Sequence, residues 1–123
     1  MGNWTHRDLV AWREAMKLAE MVYRDTESFP KMERHGLAAQ LRRAAVSIPS
    51  NIAEGSGRNS SRELFQFLGF TCGSLAELET QLELATRLGY LEASNQVANQ
   101  ANFVGKLVNG LRKSIKKRSN PGL

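Results

Sequence analysis

The apolar positions of this chain recur in steps of three and four rather than two. Leu9, Trp12, Met16, Ala19, Tyr23 and Thr26 trace one stripe of a first helix, with Thr5 and Asp8 placed to cap its start. Phe29-Pro30 ends it. Leu37, Leu41, Ala44, Ile48 and Ile52 trace a second helix that stops at Gly55 and Gly57. Ser60 through Glu63 reads S-x-x-E, a capping box that opens a third helix carrying Leu64, Leu68, Thr71, Leu75, Leu78, Leu82 and Ala85. Gly89 closes that helix. Beyond it, Val97, Ala101, Val104, Val108, Leu111 and Ile115 alternate steps of four and three, the cleanest heptad in the chain. No sustained period-two alternation marks a strand. The pattern predicts one all-α domain over residues 1–123, with helices near 6–27, 33–55, 61–88 and 94–118 and a basic C-terminal tail. Short connections make antiparallel neighbours, so the expected architecture is an up-down-up-down four-helix bundle.

Two of these helices carry more than one apolar face. On the second, Ala39, Val46 and Ala53 repeat every seven residues away from the Leu37 stripe; on the third, Phe70, Leu84 and Leu88 lie off the main stripe beside Gly69 and Gly73. A helix apolar nearly all round is buried on more than one side. Four helices share only one core, so these eight residues are expected to face other copies in a homo-oligomer.

The stretch QLRRAAVSIPSNIAEGSGRNS, residues 40–60, concentrates the remaining peculiarities. Pro49 removes a helix hydrogen bond and crowds the preceding turn, so the second helix is expected to kink there. Ser50 is placed to return its hydroxyl to the Val46 carbonyl. Gln40, Arg43, Ser47, Asn51 and Glu54 form a polar strip at the rim of the apolar face. Partly buried polar groups need partners, which predicts a hydrogen-bonded ladder to a neighbouring helix or subunit, with Asn51 and Glu54 as its best-placed members.

Charge narrows the function classes. The net charge is +5, with the excess in Arg42, Arg43, Arg58, Arg62 and the tail segment Arg112, Lys113, Lys116, Lys117 and Arg118. Such a balance favours an anionic partner, nucleic acid being the commonest, and is equally what a solvated face presents. The glycine turn before Ser60 can offer free N–H groups to an anion, with Arg58 and Arg62 adjacent, although a tight interhelical turn explains the same glycines. The P-loop lysine is missing and no strand precedes the turn.

Other chemistry finds no residues. His6 and His35 are the only histidines and neither follows a Glu by three residues, so no di-iron or other metal site and no cofactor is expected. Cys72 is the single cysteine and reads as core filler. Glu54 has no nucleophile, second carboxylate or histidine placed near it, so no enzyme activity is expected. No apolar run spans a bilayer, the start lacks a signal-peptide pattern, and His6 stands where N-myristoylation wants Ser or Thr. A cytoplasmic protein is the expectation.

The segments LVAWREAMKLAEMVYRDTESFP, GLAAQLRRAAVSIPSNIAEGSGRNSSRELFQFL and GSLAELETQLELATRLGYL carry a resemblance. They resemble the bacterial four-helix-bundle proteins first noted in intervening sequences of 23S ribosomal RNA genes, most specifically at RRAAVSIPSNIAEG. The resemblance implies a four-helix bundle assembling as a ring-like homopentamer, with Arg42, Arg43, Ser47, Pro49, Asn51, Glu54 and Gly55 as the motif residues, and it supplies no catalytic residues. The family is similar in fold to the basic pentameric accessory proteins of diversity-generating retroelements, which bind a reverse transcriptase and nucleic acid. The expected function is therefore a non-enzymatic homo-oligomer that binds nucleic acid, structured RNA above DNA, through basic patches. The alternative is a protein-interaction scaffold or an accessory subunit of a nucleic-acid enzyme.

Overall fold

The structure, a computed structural model, describes residues 5–119, with side chains described as far as Lys116. It consists of four helices, α1 (Val10–Thr26), α2 (Leu37–Ser56), α3 (Ser61–Arg87) and α4 (Gln96–Ser119), with 3-10 turns at His6–Asp8 and Lys31–Glu33. No strand occurs among the described residues. Each helix packs on the next and α4 closes on α1, leaving α2 and α4 diagonal to one another. This is a four-helix bundle.

Beyond the first element, α2 begins at Leu37 rather than near residue 33, because Lys31–Glu33 forms a separate 3-10 turn, and of the Ser60/Glu63 capping box the Ser60 half forms. Ser60 accepts the Glu63 N–H at 3.1 Å and starts α3, while Asn95 accepts the Ala98 N–H at 2.9 Å and starts α4. Gly89 ends α3 with φ +82°, the left-handed conformation in which the Tyr90 N–H reaches back to the Ala85 carbonyl at 2.9 Å. The stripes expected of α2, α3 and α4 form the core: Leu41, Ile48, Ile52, Leu68, Leu78, Val97, Val104, Val108 and Ile115 are all sealed from solvent. Helix α2 runs unbroken through the buried Pro49, and Ser50 donates to the Val46 carbonyl at 2.8 Å.

The first helix departs from its pattern in two ways. Thr5 and Asp8 do form a reciprocal capping box, but the box closes the His6–Asp8 turn. Leu9 then turns extended, and α1 begins only at Val10. The stripe is also rotated by about one residue: Ala11, Ala15, Leu18, Val22 and Thr26 are buried, whereas Met16 and Tyr23 are 40% and 46% exposed. Small Ala11 and Ala15 let neighbouring helices come close, and turning Met16 and Tyr23 inward would overfill that space.

Gly55 lies inside α2 and does more than stop it. A Cβ there would sit 2.8 Å from the Phe67 Cβ and 3.1 Å from Leu64 Cδ1, both on α3. Its bareness sets how closely the two helices approach. At the opposite end of α2, Glu33 bridges two elements: one oxygen accepts the Leu37 N–H at 2.9 Å and the other accepts the Tyr90 hydroxyl at 3.0 Å. The Tyr90 ring leans on Phe29 with centroids 5.2 Å apart.

Three predictions follow from this packing. Gly55→Ala should lower stability by about 1–3 kcal/mol in urea unfolding, because Phe67 meets the new methyl with its rigid Cβ. Gly105→Ala, at a position with nothing within 4 Å, should instead raise it by about 0.5–1 kcal/mol. The bond to the Glu33 carboxylate, with partial burial, raises the Tyr90 pKa. Its contribution is therefore complete below about pH 10, the ordinary tyrosine value, and is lost as pH rises through the higher folded value. Urea midpoints measured from pH 8 to 11.5 should converge for the native protein and Tyr90→Phe at the alkaline end.

Candidate nucleic-acid interface

The cations that look alike in sequence meet different fates. Arg42 turns toward α1: its Nε donates to Thr26 Oγ1 at 2.8 Å, its Nη2 donates to the Tyr23 carbonyl at 3.2 Å, and its guanidinium lies 4.6 Å over the Tyr23 ring. A cation at the C-terminal turn of α1 also complements the helix dipole. Arg43, one residue on and roughly 100° around the helix, borders the seam between α2 and α3 beside Ser47, Ser74, Glu77 and Gln81. Neighbours in sequence thus serve opposite sides of α2.

At the α2–α3 turn, Arg58 pairs with Glu54 at 2.9 Å and stacks 4.8 Å over Phe67. Arg62 is exposed, next to Glu63 in the first turn of α3. Two acids therefore offset two arginines locally. The backbone is also largely committed, since the Gly57 N–H bonds to the Ala53 and Glu54 carbonyls and the Arg58 N–H bonds to that of Gly55. The turn closes α2 rather than holding those N–H groups open as a phosphate cradle.

Within one chain the polar strip makes one rung to a neighbouring helix. Ser47 Oγ donates to Ser74 Oγ on α3 at 2.6 Å. Asn51 donates to the Ser47 carbonyl of its own helix, and Glu54 takes Arg58. Gln40 is exposed at the seam. Short polar chains on α2 find intrahelical partners four residues away before they can span to α3.

Of the residues expected to face other copies, Gly69, Phe70, Gly73, Leu84 and Leu88 line one open groove of about 1120 Å³ between α2 and α3. Phe70, Leu84 and Leu88 are 46–50% exposed there. Val46 is exposed and Ala39 and Ala53 half-buried. These three share the side of α2 from which Arg42 reaches α1, so the polar strip separates two apolar surfaces.

Helix α4 holds the feature that segment-by-segment reading missed. After Glu92 the chain contains Lys106, Arg112, Lys113, Lys116, Lys117 and Arg118 and no Asp or Glu. These six exceed the whole net charge of +5, so residues up to Glu92 carry a slight negative balance. Seven-residue spacing places Asn99, Lys106 and Lys113 in one row, Asn102, Asn109 and Lys116 in a second, and Phe103, Gly110 and Lys117 in a third. The described side chains of all three rows are exposed. Lys117 and Arg118 belong to α4, but their side chains lie outside the described residues.

Arg112 sits at the flank of this face, stacked 4.6 Å over Phe65 and 3.8 Å from Cys72 Sγ. Those contacts bring Arg112 of α4 against Phe65 and Cys72 of α3. One acid is bonded to α4 through Gln100, which donates to the Glu14 carboxylate at 2.9 Å and to its carbonyl at 3.0 Å. The bond from Gln100, with Lys17 nearby, holds the Glu14 carboxyl below the usual range. Lys17 lies 3.5 Å from it and offsets its charge.

Among the described residues no cluster of His, Cys, Asp and Glu could hold a metal, and no helix is long and apolar enough to cross a membrane. The family profile described as 23S rRNA-intervening sequence protein matches residues 7–110. The chain belongs to the 23S rRNA-intervening sequence protein family. The family match takes in the bundle, the Pro49 stretch and the first two thirds of α4, and ends just before Arg112. No curated protein matches the chain.

Proposed function

We propose that this protein is a non-enzymatic, self-assembling cytoplasmic bundle that holds nucleic acid through ionic contacts from the outer face of α4 to phosphate. The observation that carries this reading is the acid-free run after Glu92, with Lys106, Lys113 and Lys116 all exposed on one face. A polyanion gains from cations that have no carboxylates interleaved. RNA is placed ahead of DNA as the reading to test first. Arg62 and Arg58 form a secondary contact region. The exposed Arg58–Glu54 pair is worth only about 0–1 kcal/mol, so a phosphate can displace Glu54.

Self-association supplies avidity. A closed ring needs two different surfaces on each chain, one to give and one to receive. The Ala39–Val46–Ala53 side and the α2–α3 groove meet that need, and a pentamer is the ring the family resemblance implies. Gln81 Oε1 is buried at the groove without a hydrogen-bond donor among the described residues, and a second chain can supply one. The same groove favours a second reading, a protein-interaction scaffold; a salt-insensitive complex with a co-purifying protein would distinguish it.

Fluorescence anisotropy of a labelled RNA titrated between 50 and 200 mM salt tests the main reading. The double variant Lys106→Ala/Lys113→Ala should flatten the log–log salt slope by about one to two units, whereas Arg42→Ala should leave the slope unchanged and lower stability. An unchanged slope in the lysine variant would exclude this face. In light scattering at micromolar concentration, the protein should run well above its 13.7 kDa chain mass. Phe70→Glu should return it toward that mass.

A further inference from the structure

Phe103 is out of place as a core residue. It is 45% exposed on α4, whose inward positions are already filled by Val97, Ala101, Val104, Val108 and Ile115. Its neighbours one turn away on the outer face are Asn99 and Lys106. Gly105 and Gly110 have nothing within 4 Å of where a side chain would begin, so the surface around the ring is open. An aromatic ring amid cations and amides, on a helix without a carboxylate, has the composition of a stacking platform.

Resting on the nucleic-acid reading above, we infer that α4 binds single-stranded segments, with an unpaired base stacked on Phe103 and the adjoining phosphates held by Lys106 and Lys113. A duplex keeps its bases stacked on one another and offers Phe103 only sugar and phosphate, against which a ring gains little. An unpaired base exposes a π-face to the ring and its edge to the amide of Asn99. Lys106 lies about 4.5 Å and Lys113 about 15 Å farther along the helix axis than Phe103. The ring and the two cations thus form one track along α4. Stacking tolerates any base, so the preference is for unpaired over paired strands and only weakly for sequence.

The test uses the full chain with two labelled probes, an unstructured RNA of 20 nucleotides and a blunt RNA duplex of the same length, at two salt concentrations. Phe103→Ala should weaken single-strand binding about 5- to 100-fold, leave duplex binding unchanged, and keep the native salt slope. Phe103→Trp should restore the single-strand affinity. Equal affinity of Phe103→Ala and native protein for the single strand would overturn the inference, as would equal losses on both probes. A fall in particle mass of Phe103→Ala by light scattering would place the ring in a subunit contact and overturn it as well. Failure of the native protein to bind either probe at low salt would remove the nucleic-acid reading itself, an outcome separate from a binding protein indifferent to Phe103.

Discussion

The contact of α2 with α3 is the constraint on which the rest of the molecule depends, and at Gly55 it leaves no room for a side chain against Phe67 and Leu64. Close approach there brings Ser47 within 2.6 Å of Ser74 farther up the seam. It also leaves Phe67 placed to carry the Arg58 guanidinium. Where the seam opens, Phe70, Leu84 and Leu88 border a groove that α2 does not fill. A larger residue at position 55 would move α3, and with it the groove and the ledge of Phe65 that supports Arg112. The glycine is thus a packing residue first, and the end of α2 comes after it, at Gly57.

Charge is sorted by helix. The first three helices mix acids and bases, and several cations there are used at home: Arg42 on α1, Arg58 on Glu54, Arg87 on Glu83. Helix α4 forgoes Glu–Lys pairs of its own, each worth about 0.2–0.5 kcal/mol on a helix surface. Its stability rests instead on the aliphatic heptad buried against α1 and α3. That arrangement keeps the outer lysines uncancelled within their own helix. Counting cations by cluster passes over Lys106, whose setting is defined by the absence of acids over the whole of α4.

The fold was legible where long aliphatic side chains repeat without competition, as in α2 through α4. It was misread in α1 because Trp12, Met16 and Tyr23 outweigh Ala11 and Ala15 in hydrophobicity, while packing favours the small residues inward. The Thr5–Asp8 box was recognised, but nothing in the pattern announces that Leu9 turns extended and separates it from α1. Glu33 and Tyr90 stand 57 residues apart, and no local signature joins them. For the candidate site, residue type was legible and direction was not. Arg42 and Arg43 are identical in sequence terms, and only the position of α1 decides which one is captured.

Because α2 and α4 are diagonal in the bundle, the surface read here for self-association and the surface read for phosphate need not compete. A ring closed through the flanks of α2 and its seam with α3 would leave the outer rows of α4 facing away from those contacts in every copy. Each copy would then add the same few ionic contacts to one strand, and the second and later contacts form at the high effective concentration set by the ring. Weak, sequence-tolerant contacts at one helix can in this way add up to firm retention of a long polyanion. On that reading the same geometry would tie affinity to assembly: a chain that kept every lysine of α4 but lost the α2–α3 groove would be left with a single helix face, and with it only the weak, salt-sensitive binding of one copy.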